Sequence, residues 1–589
     1  MQKNTEMSNT CRDFREFKSM PVNLKKIKTM KAKIIFISCL AALLSFSSCE
    51  SFLTEENRTS LTADPFFTSE VGYESLVNTC YTPLRLWYGR EDAYGVTETG
   101  TDLFTKAAGN TNTTLNDYDN VAFNGTNGPL TNYWKYLYRA INSCNAAINR
   151  ADKVKMSPDL LSKRVAEVRF LRAFYYWHIV ETWGNTHFTT DETIGVETTA
   201  NKTSPEKIYQ QIFADLDACI SSNLPEDKHS NGRVTKWAAK ALKARLSLTR
   251  ASATNNPQLY TQAANLAKEV INSGKFSMMS DYKAIWSMSN ANGQTNPEVI
   301  WHVEFSDDHL YNKPEYDDYT IRNGGHNGHL MFCMKYDDQP GLKRDVLNGR
   351  PFNRFMPTRY YVEMFDETID QRWEGSFKQL WLMNNTNKGA YTNMTDTAIY
   401  LYKGIASAAQ RARADKRYQL LDLQNLYGDN TPGKINRLRT FQLSKFDDPT
   451  RESANEDRSV RDAFVFRISE MYLIAAEALS QSAPTEALDF MNQLRRKRAI
   501  PGKENQMVIT QAQLTLDFIL DERARELGGE QLRWFDLKRT NKLVERVKAG
   551  NPDGAANVKE WHINRPIPRV QLDAVFNKEE FTQNEGYSQ

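Results

Sequence analysis

Residues able to do chemistry are sparse in this sequence, and their spacing argues against most reactions. Glu522 and Glu526 lie four apart in a run that also holds Arg523 and Arg525. A glycosidase needs two carboxyls roughly 5–10 Å apart on either side of a sugar. Carboxylates spaced like these instead predict a solvated, charge-laced helix face, with Asp521 and Glu522 as helical neighbours of Arg525. His326 and His329, followed by Cys333, form the best metal-like cluster, since two His and a Cys can hold a transition metal. The cluster falls in the glycine-rich run NGGHNGHLMFCMK with no fourth ligand in view, so a flexible loop is expected and no metal is assigned. Asp307–Asp308–His309 reads likewise as an exposed loop. There is no GxSxG, HExxH or P-loop, and no GxGxxG in a strand-to-helix setting. With only eight His in the chain, neither an enzyme nor a cofactor is expected.

Aromatic residues carry more information. The chain has 26 Tyr and 11 Trp, side chains that offer a flat apolar face with a polar tip. Such faces suit stacking on sugar rings when planar Asn, Asp or Arg groups stand nearby to meet hydroxyls. A rigid scaffold presents them best from irregular segments. One set lies around a Gly- and Asn-rich stretch: Trp87, Tyr88, Tyr94, Asp102 and Phe104. A second lies further on: Trp286, Trp301, Tyr311, Tyr316, Tyr319, Trp373 and Trp381. The ligand-contact candidates drawn from them are Trp87, Tyr88, Asp102, Trp286, Trp301, Tyr311, Tyr319 and Trp381. The competing reading is that most of these aromatics are local core.

These groups need a scaffold and an address. Ile34–Phe46 is an apolar run preceded by Lys31 and Lys33 and followed by Ser47, Ser48 and Cys49. A basic start, a run of this length and a small-residue exit predict a secretory signal, too short to span a bilayer, which takes about 20 apolar residues. The cysteine at the exit predicts a bacterial lipoprotein signal, cut before Cys49 so that this residue carries the lipid. The leader is expected to start at Met30, with residues 1–29 an upstream extension. The formal charge is +3 overall, of which residues 1–48 contribute +6, leaving −3 for residues 49–589. A near-neutral body of mixed sign gives no footprint for nucleic acid. Cys80, Cys144, Cys219 and Cys333 are scattered without CxxC spacing and are expected to be buried free thiols.

Periodicity predicts a mostly α protein. Residues 49–68 read as a lipidated tether and 69–274 as a helical part. The latter has helices near 69–88, 130–151, 165–183, 205–222, 234–248 and 260–271, interrupted by a long loop at 89–128. Apolar residues at three- and four-residue spacing, such as Val168, Leu171, Tyr175 and Ile179, mark the buried stripe, and Gly184 ends its helix. Helix pairs with small residues at their contact face are similar to tetratricopeptide units, at loose spacing. Periodicity fades over 275–459, a large irregular insertion with short strands near Val299–Phe305 and Ala398–Leu401. Helices return in 460–589, near 464–480, 485–498 and 510–527.

Several segments together resemble the SusD/RagB family. They are CESFLTEENRTSLTADPFF (49–67), VAEVRFLRAFYYWHIVETWGNTHF (165–188), FRISEMYLIAAEAL (466–479), ALDFMNQLRRKRAI (487–500), ILDERARELGGEQLRWFDLKR (519–539) and RPIPRVQLDA (565–574). They span nearly the whole chain after Cys49. Gly528–Gly529 departs from the family pattern, where bulkier residues are expected, as does Ser48 before the cysteine. The resemblance implies a SusD-like fold of tetratricopeptide-like repeats with a loop-rich insertion. It implies a surface-exposed outer-membrane lipoprotein that captures oligosaccharides as the lid of a SusC-type TonB-dependent transporter. Some members capture peptides or other nutrients; a secreted glycoside hydrolase is a further alternative. The family's binding residues lie outside its shared motifs, so none transfers to a numbered position.

Overall fold

The computed structural model describes residues 63–119, 121–227, 230–312 and 324–588. Cys49 and the leader lie outside them. Six long helices dominate the first part of the fold: α1 (Glu70–Tyr81), α2 (Gly128–Arg150), α3 (Pro158–Trp183), α4 (Pro205–Ser221), α5 (Lys236–Thr254) and α6 (Pro257–Ile271). Local chemistry sets their starts. The side chains of Ser69, Asn127, Thr235 and Asn256 accept amide hydrogens of the first turn, which satisfies donors that have no helical partner. Pro sits in the first turn of α2, α3, α4 and α6, where its missing N–H costs nothing. α3 departs from the single stripe expected of it: every residue from Phe170 to Trp183 is buried, as a helix enclosed on all sides must be. Its charged members are paired, Arg172 with Asp215 of α4 at 2.8 Å and Glu181 with Tyr209 of α4 at 2.6 Å.

Each helix packs on the next, from α1 to α6. The chain then leaves this row and returns to it at α7 (Ile468–Leu479), which packs on α6 and on α8 (Pro484–Lys497). The small residues Ala263, Ala264 and Ala267 of α6 and Ala475, Ala476 and Ala478 of α7 are buried, so the backbones can approach closely. α9 (Leu516–Leu527) and α10 (Arg533–Arg539) follow. The start expected at Thr510 is a separate 3₁₀ turn over Gln511–Gln513 with its own capping box, and Thr515 caps α9.

Nine short strands are described, all in two- or three-stranded sheets: β1 (Phe104–Lys106), β2 (Val299–Val303), β3 (Phe355–Pro357), β4 (Phe377–Lys378), β5 (Leu380–Leu382), β6 (Thr397–Tyr402), β7 (Gln419–Asp422), β8 (Gln442–Leu443) and β9 (Ala463–Arg467). β2 and β9 pair antiparallel and close the root of the excursion, so that 304–462 is one long insertion between two partnered strands. β9 replaces the helical start expected at Phe464. The insertion has its own apolar core, centred on Phe332, Tyr361, Trp373, Phe377, Trp381 and Phe441.

The stretch 89–128 is not the open loop that its Gly and Asn content suggested. It carries a helix at Glu91–Thr97 and strand β1, which pairs with β3 of the insertion. Tyr94, Leu103 and Phe104 are buried in the insertion core. Gly100, at φ +77°, turns the chain where a side chain would be strained; a Cβ there would also meet the Leu115 carbonyl oxygen at 2.5 Å.

Glu522 and Glu526 are likewise interior rather than solvated. Arg372 donates to both, at 2.9 and 3.3 Å. Arg467 and Arg498 also donate to Glu526, while Arg495 and Arg525 donate to Glu522. Glu298 takes bonds from Arg467 and Arg498, and Glu530 from Arg467 and Lys445. The network ties α8 and α9 to the insertion and to the β2–β9 root. Burial would raise the Glu526 carboxyl, but the surrounding guanidinium groups outweigh it and hold it well below the usual carboxylate range. An acid held in ionised form by several arginines cannot serve as a general acid.

Among the described residues, Cys80, Cys144, Cys219 and Cys333 are free and buried, as expected. No described helix is long and apolar enough to cross a membrane.

Candidate functional site

α1 presents two faces. Tyr73, Leu76, Val77 and Cys80 are buried, while Glu70, Glu74 and Asn78, at i, i+4 and i+8, line up on the other side. That polar row forms one wall of a cleft of about 1140 Å³. The facing wall comes from the insertion, through Glu304–Asp307, Tyr311 and Asp462, and from Asn292 just ahead of β2. Tyr311 is 71% exposed, a large aromatic face left in solvent at the rim.

The Tyr311 segment is held from below. Arg85, just beyond α1, donates to the carbonyl oxygens of Glu304 at 2.7 Å and of Tyr311 at 3.1 Å. Ser306 and Asn312 close the turn reciprocally: the Ser306 amide donates to Asn312 Oδ1 at 2.8 Å, and Asn312 Nδ2 donates back to the Ser306 carbonyl at 2.7 Å. Asp462 accepts the Gly293 amide at 2.7 Å and the Phe305 amide at 3.3 Å, and lies 3.4 Å from His302 Nε2. Burial pushes its carboxyl up to about 7, with the two amides partly offsetting that. Both Asp462 oxygens are occupied by backbone amides, which makes it a fastener for the Tyr311 segment. The arrangement offers a ring to stack on, and carboxylate and amide acceptors for hydroxyls, along one trough.

The other sequence candidates lie elsewhere, and most are interior. Trp87 stacks on Tyr133 with ring centroids 3.4 Å apart. Tyr88 is buried with its hydroxyl 3.3 Å from His178 Nε2. Asp102 is fully buried and accepts two bonds from Arg533, at 2.7 and 2.5 Å. Trp286 is flanked by Lys445 and Arg467 at 4.8 and 5.1 Å. Trp301 donates to the Gly232 carbonyl at 2.9 Å and meets Phe170 edge-on. Trp381 belongs to the insertion core. These six are therefore corrected from ligand contacts to packing residues, because their rings or charges are already used inside the fold. Tyr319 lies outside the described residues.

The His326 cluster is also interior. His326 and His329 are buried, and burial pushes the His329 imidazole down to about 3. Among the described residues no group of three His, Cys, Asp or Glu is placed to hold a metal. What sequence reasoning missed is the wall of α1 and Arg85. The signal was present as the polar i, i+4 row opposite the apolar face.

A family model described as "SusD family" matches residues 297–587, and a second, described as "Starch-binding associating with outer membrane", matches residues 51–248. The chain belongs to the SusD family. A SusD-like protein of Formosa agariphila is 26% identical, covering 92% of this chain and 98% of its own length. A solved SusD homolog from Bacteroides thetaiotaomicron, 19% identical, superposes with a TM-score of 0.67 over 90% of this chain and 99% of its own. Surface glycan-binding protein A of the same organism, solved with laminarihexaose, gives 0.62 at 21% identity over 88% of this chain and all of its own. The SusD fold is thus common to chains whose sequences have diverged widely, and the mostly α architecture described above is that fold.

Proposed function

We propose that this SusD-family protein is a surface glycan-binding lipoprotein of the outer membrane that captures oligosaccharides without cleaving them. It would be anchored through Cys49, face the exterior and hand its ligand to a SusC-type TonB-dependent transporter. The observation that carries the reading is the cleft in which exposed Tyr311 faces the polar row of α1. Similarity to a protein solved with laminarihexaose, and a matched family described as starch-binding and outer-membrane-associated, support it. The carboxylates first considered for catalysis are saturated by arginine, which favours binding over turnover.

Titration calorimetry of the mature chain against maltohexaose, laminarihexaose and a peptide panel tests the reading. Saturable glycan binding weakened by Tyr311→Ala is expected. Binding of peptides alone would replace glycan capture by peptide capture, and glycan turnover would restore the hydrolase alternative. Palmitate labelling lost in Cys49→Ala tests the anchor. Co-purification with an outer-membrane β-barrel transporter tests the partner.

A further inference from the structure

A second cleft, of about 760 Å³, lies on the insertion and shares no lining residue with the Tyr311 cleft. Its wall includes Tyr400 and Tyr402 of β6, Leu380 of β5, and Gln379. Residues two apart on a strand point to the same face, about 6.6 Å apart along it. The two tyrosine rings follow that spacing, with centroids 6.4 Å apart and planes inclined by 42°. Both are half-buried, so each ring is seated by the sheet and keeps an open surface. Leu380 pairs directly with Tyr400 across the sheet and is 44% exposed, extending the apolar strip. Gly404 leaves room for the second ring: a Cβ there would come within 2.9 Å of Tyr402.

The electrostatics of the cleft narrow the ligand. Lys283, Lys378 and Lys403 are balanced by Glu367, Glu374 and Asp447. Lys403 pairs with Glu367 at 2.6 Å and Lys283 with Glu374 at 3.2 Å, so the rim presents neither sign in excess. A stable protein partner would be expected to cover a broader surface, about 800 Å² on each side. Two tilted rings 6.4 Å apart, with Gln379 and paired charges beside them, suit a neutral, curved glycan chain. We propose that Tyr400 and Tyr402, with Leu380, form a second glycan-stacking platform, which lets one protein hold a long chain at two points. The proposal rests on the glycan-binding reading above, and tethering at two points raises retention through effective concentration.

The test uses the full mature chain. Calorimetry with maltohexaose and laminarihexaose counts sites, and electrophoresis through gels containing starch or laminarin measures polysaccharide retention. Two sites are expected in the unaltered protein. One site and at least a threefold loss of retention are expected when Tyr400→Ala and Tyr402→Ala are combined. Tyr400→Phe with Tyr402→Phe should keep both sites. Leu380→Glu, at an exposed position, should reproduce the loss if the double alanine variant melts early. Unchanged site number and retention in the alanine and Leu380→Glu variants would overturn the platform. So would a single site abolished by Tyr311→Ala, which leaves the general reading intact. Unchanged glycan binding with lost transporter co-purification would overturn it in favour of a docking face. No glycan binding by the unaltered chain would overturn both.

Discussion

Glu526 and Arg498 meet through two hydrogen bonds, Nε to Oε2 at 3.0 Å and Nη2 to Oε1 at 2.9 Å, with neither side chain exposed. Arg498 follows α8 directly and Glu526 lies on α9. Each is shared further: Arg498 also reaches Glu298, and Glu526 reaches Arg467 and Arg372. The pair is therefore one bond of a network that joins the C-terminal helices to the root and body of the insertion.

Removing one member of a buried ion pair leaves the other charge uncompensated, which costs about 3–5 kcal/mol. Glu526→Gln is expected to lower unfolding free energy by about that amount. Arg498→Met should act similarly, and the double substitution should cost clearly less than the sum, because the sites share partners. Urea unfolding measures this. A loss under about 1 kcal/mol, in the range of exposed pairs, would show that the network is dispensable.

Asp462 gives a pH dependence of known sign. Its folded carboxyl titrates near 7, whereas an unfolded Asp titrates near about 3.9. Between these values the folded state holds a proton that the unfolded state has released, so this group's contribution falls as pH rises. His302, Arg461 and Glu304 surround it. Asp462→Asn keeps an oxygen for one of the two amides, a loss that does not vary with pH, and removes the titration. The variant's stability relative to the unaltered protein is expected to increase from about pH 4 to pH 7 and then level off. Urea midpoints at several pH values read this, and a constant difference would refute it.

The sequence made the helices legible because apolar spacing, caps and stop residues are local signals. Ser69 and Gly184 mark real helix boundaries, while the Thr510 box caps only a 3₁₀ turn ahead of α9. The site was less legible because burial of a polar residue depends on distant partners. Asp102 looked like a loop hydrogen-bonder; its partner Arg533 is 431 residues away. Glu522 and Glu526 carry the spacing of a solvated helix face, and only their arginines from other elements reveal an interior network. Tyr311 and Trp381 were indistinguishable as aromatics in an irregular run, yet one faces solvent and the other fills a core.

Gly528 and Gly529, which departed from the family pattern, have a steric reason here. A Cβ on Gly528 would lie 2.1 Å from the Tyr361 hydroxyl, and one on Gly529, at φ +85°, 2.5 Å from Leu443. Gly528→Ala is expected to cost about 1–3 kcal/mol through overpacking. Tyr361→Phe should recover part of that loss, and should do nothing for Gly529→Ala, whose backbone strain remains. Thermal unfolding of the four variants checks the pattern; equal rescue of both would refute it.

Arg85 fixes the Tyr311 segment through two carbonyls. Arg85→Met is expected to leave the fold in place and weaken glycan binding about tenfold, equivalent to about 1.4 kcal/mol, because the ring loses its fixed position. Calorimetry beside Tyr311→Ala measures this. Additive losses in the double variant would mean that Arg85 contacts ligand independently; a double variant no weaker than Tyr311→Ala supports positioning.

The reciprocal bonds between Ser306 and Asn312 close a small ring of chain whose ends are tied to each other. Residues 307–311 thus form an exchangeable cassette. The bonds that close it use the Ser306 main chain and the Asn312 side chain, so Asp307 and Tyr311 can be exchanged without removing either bond, and the contacts offered to a ligand can be altered apart from the closure that presents them.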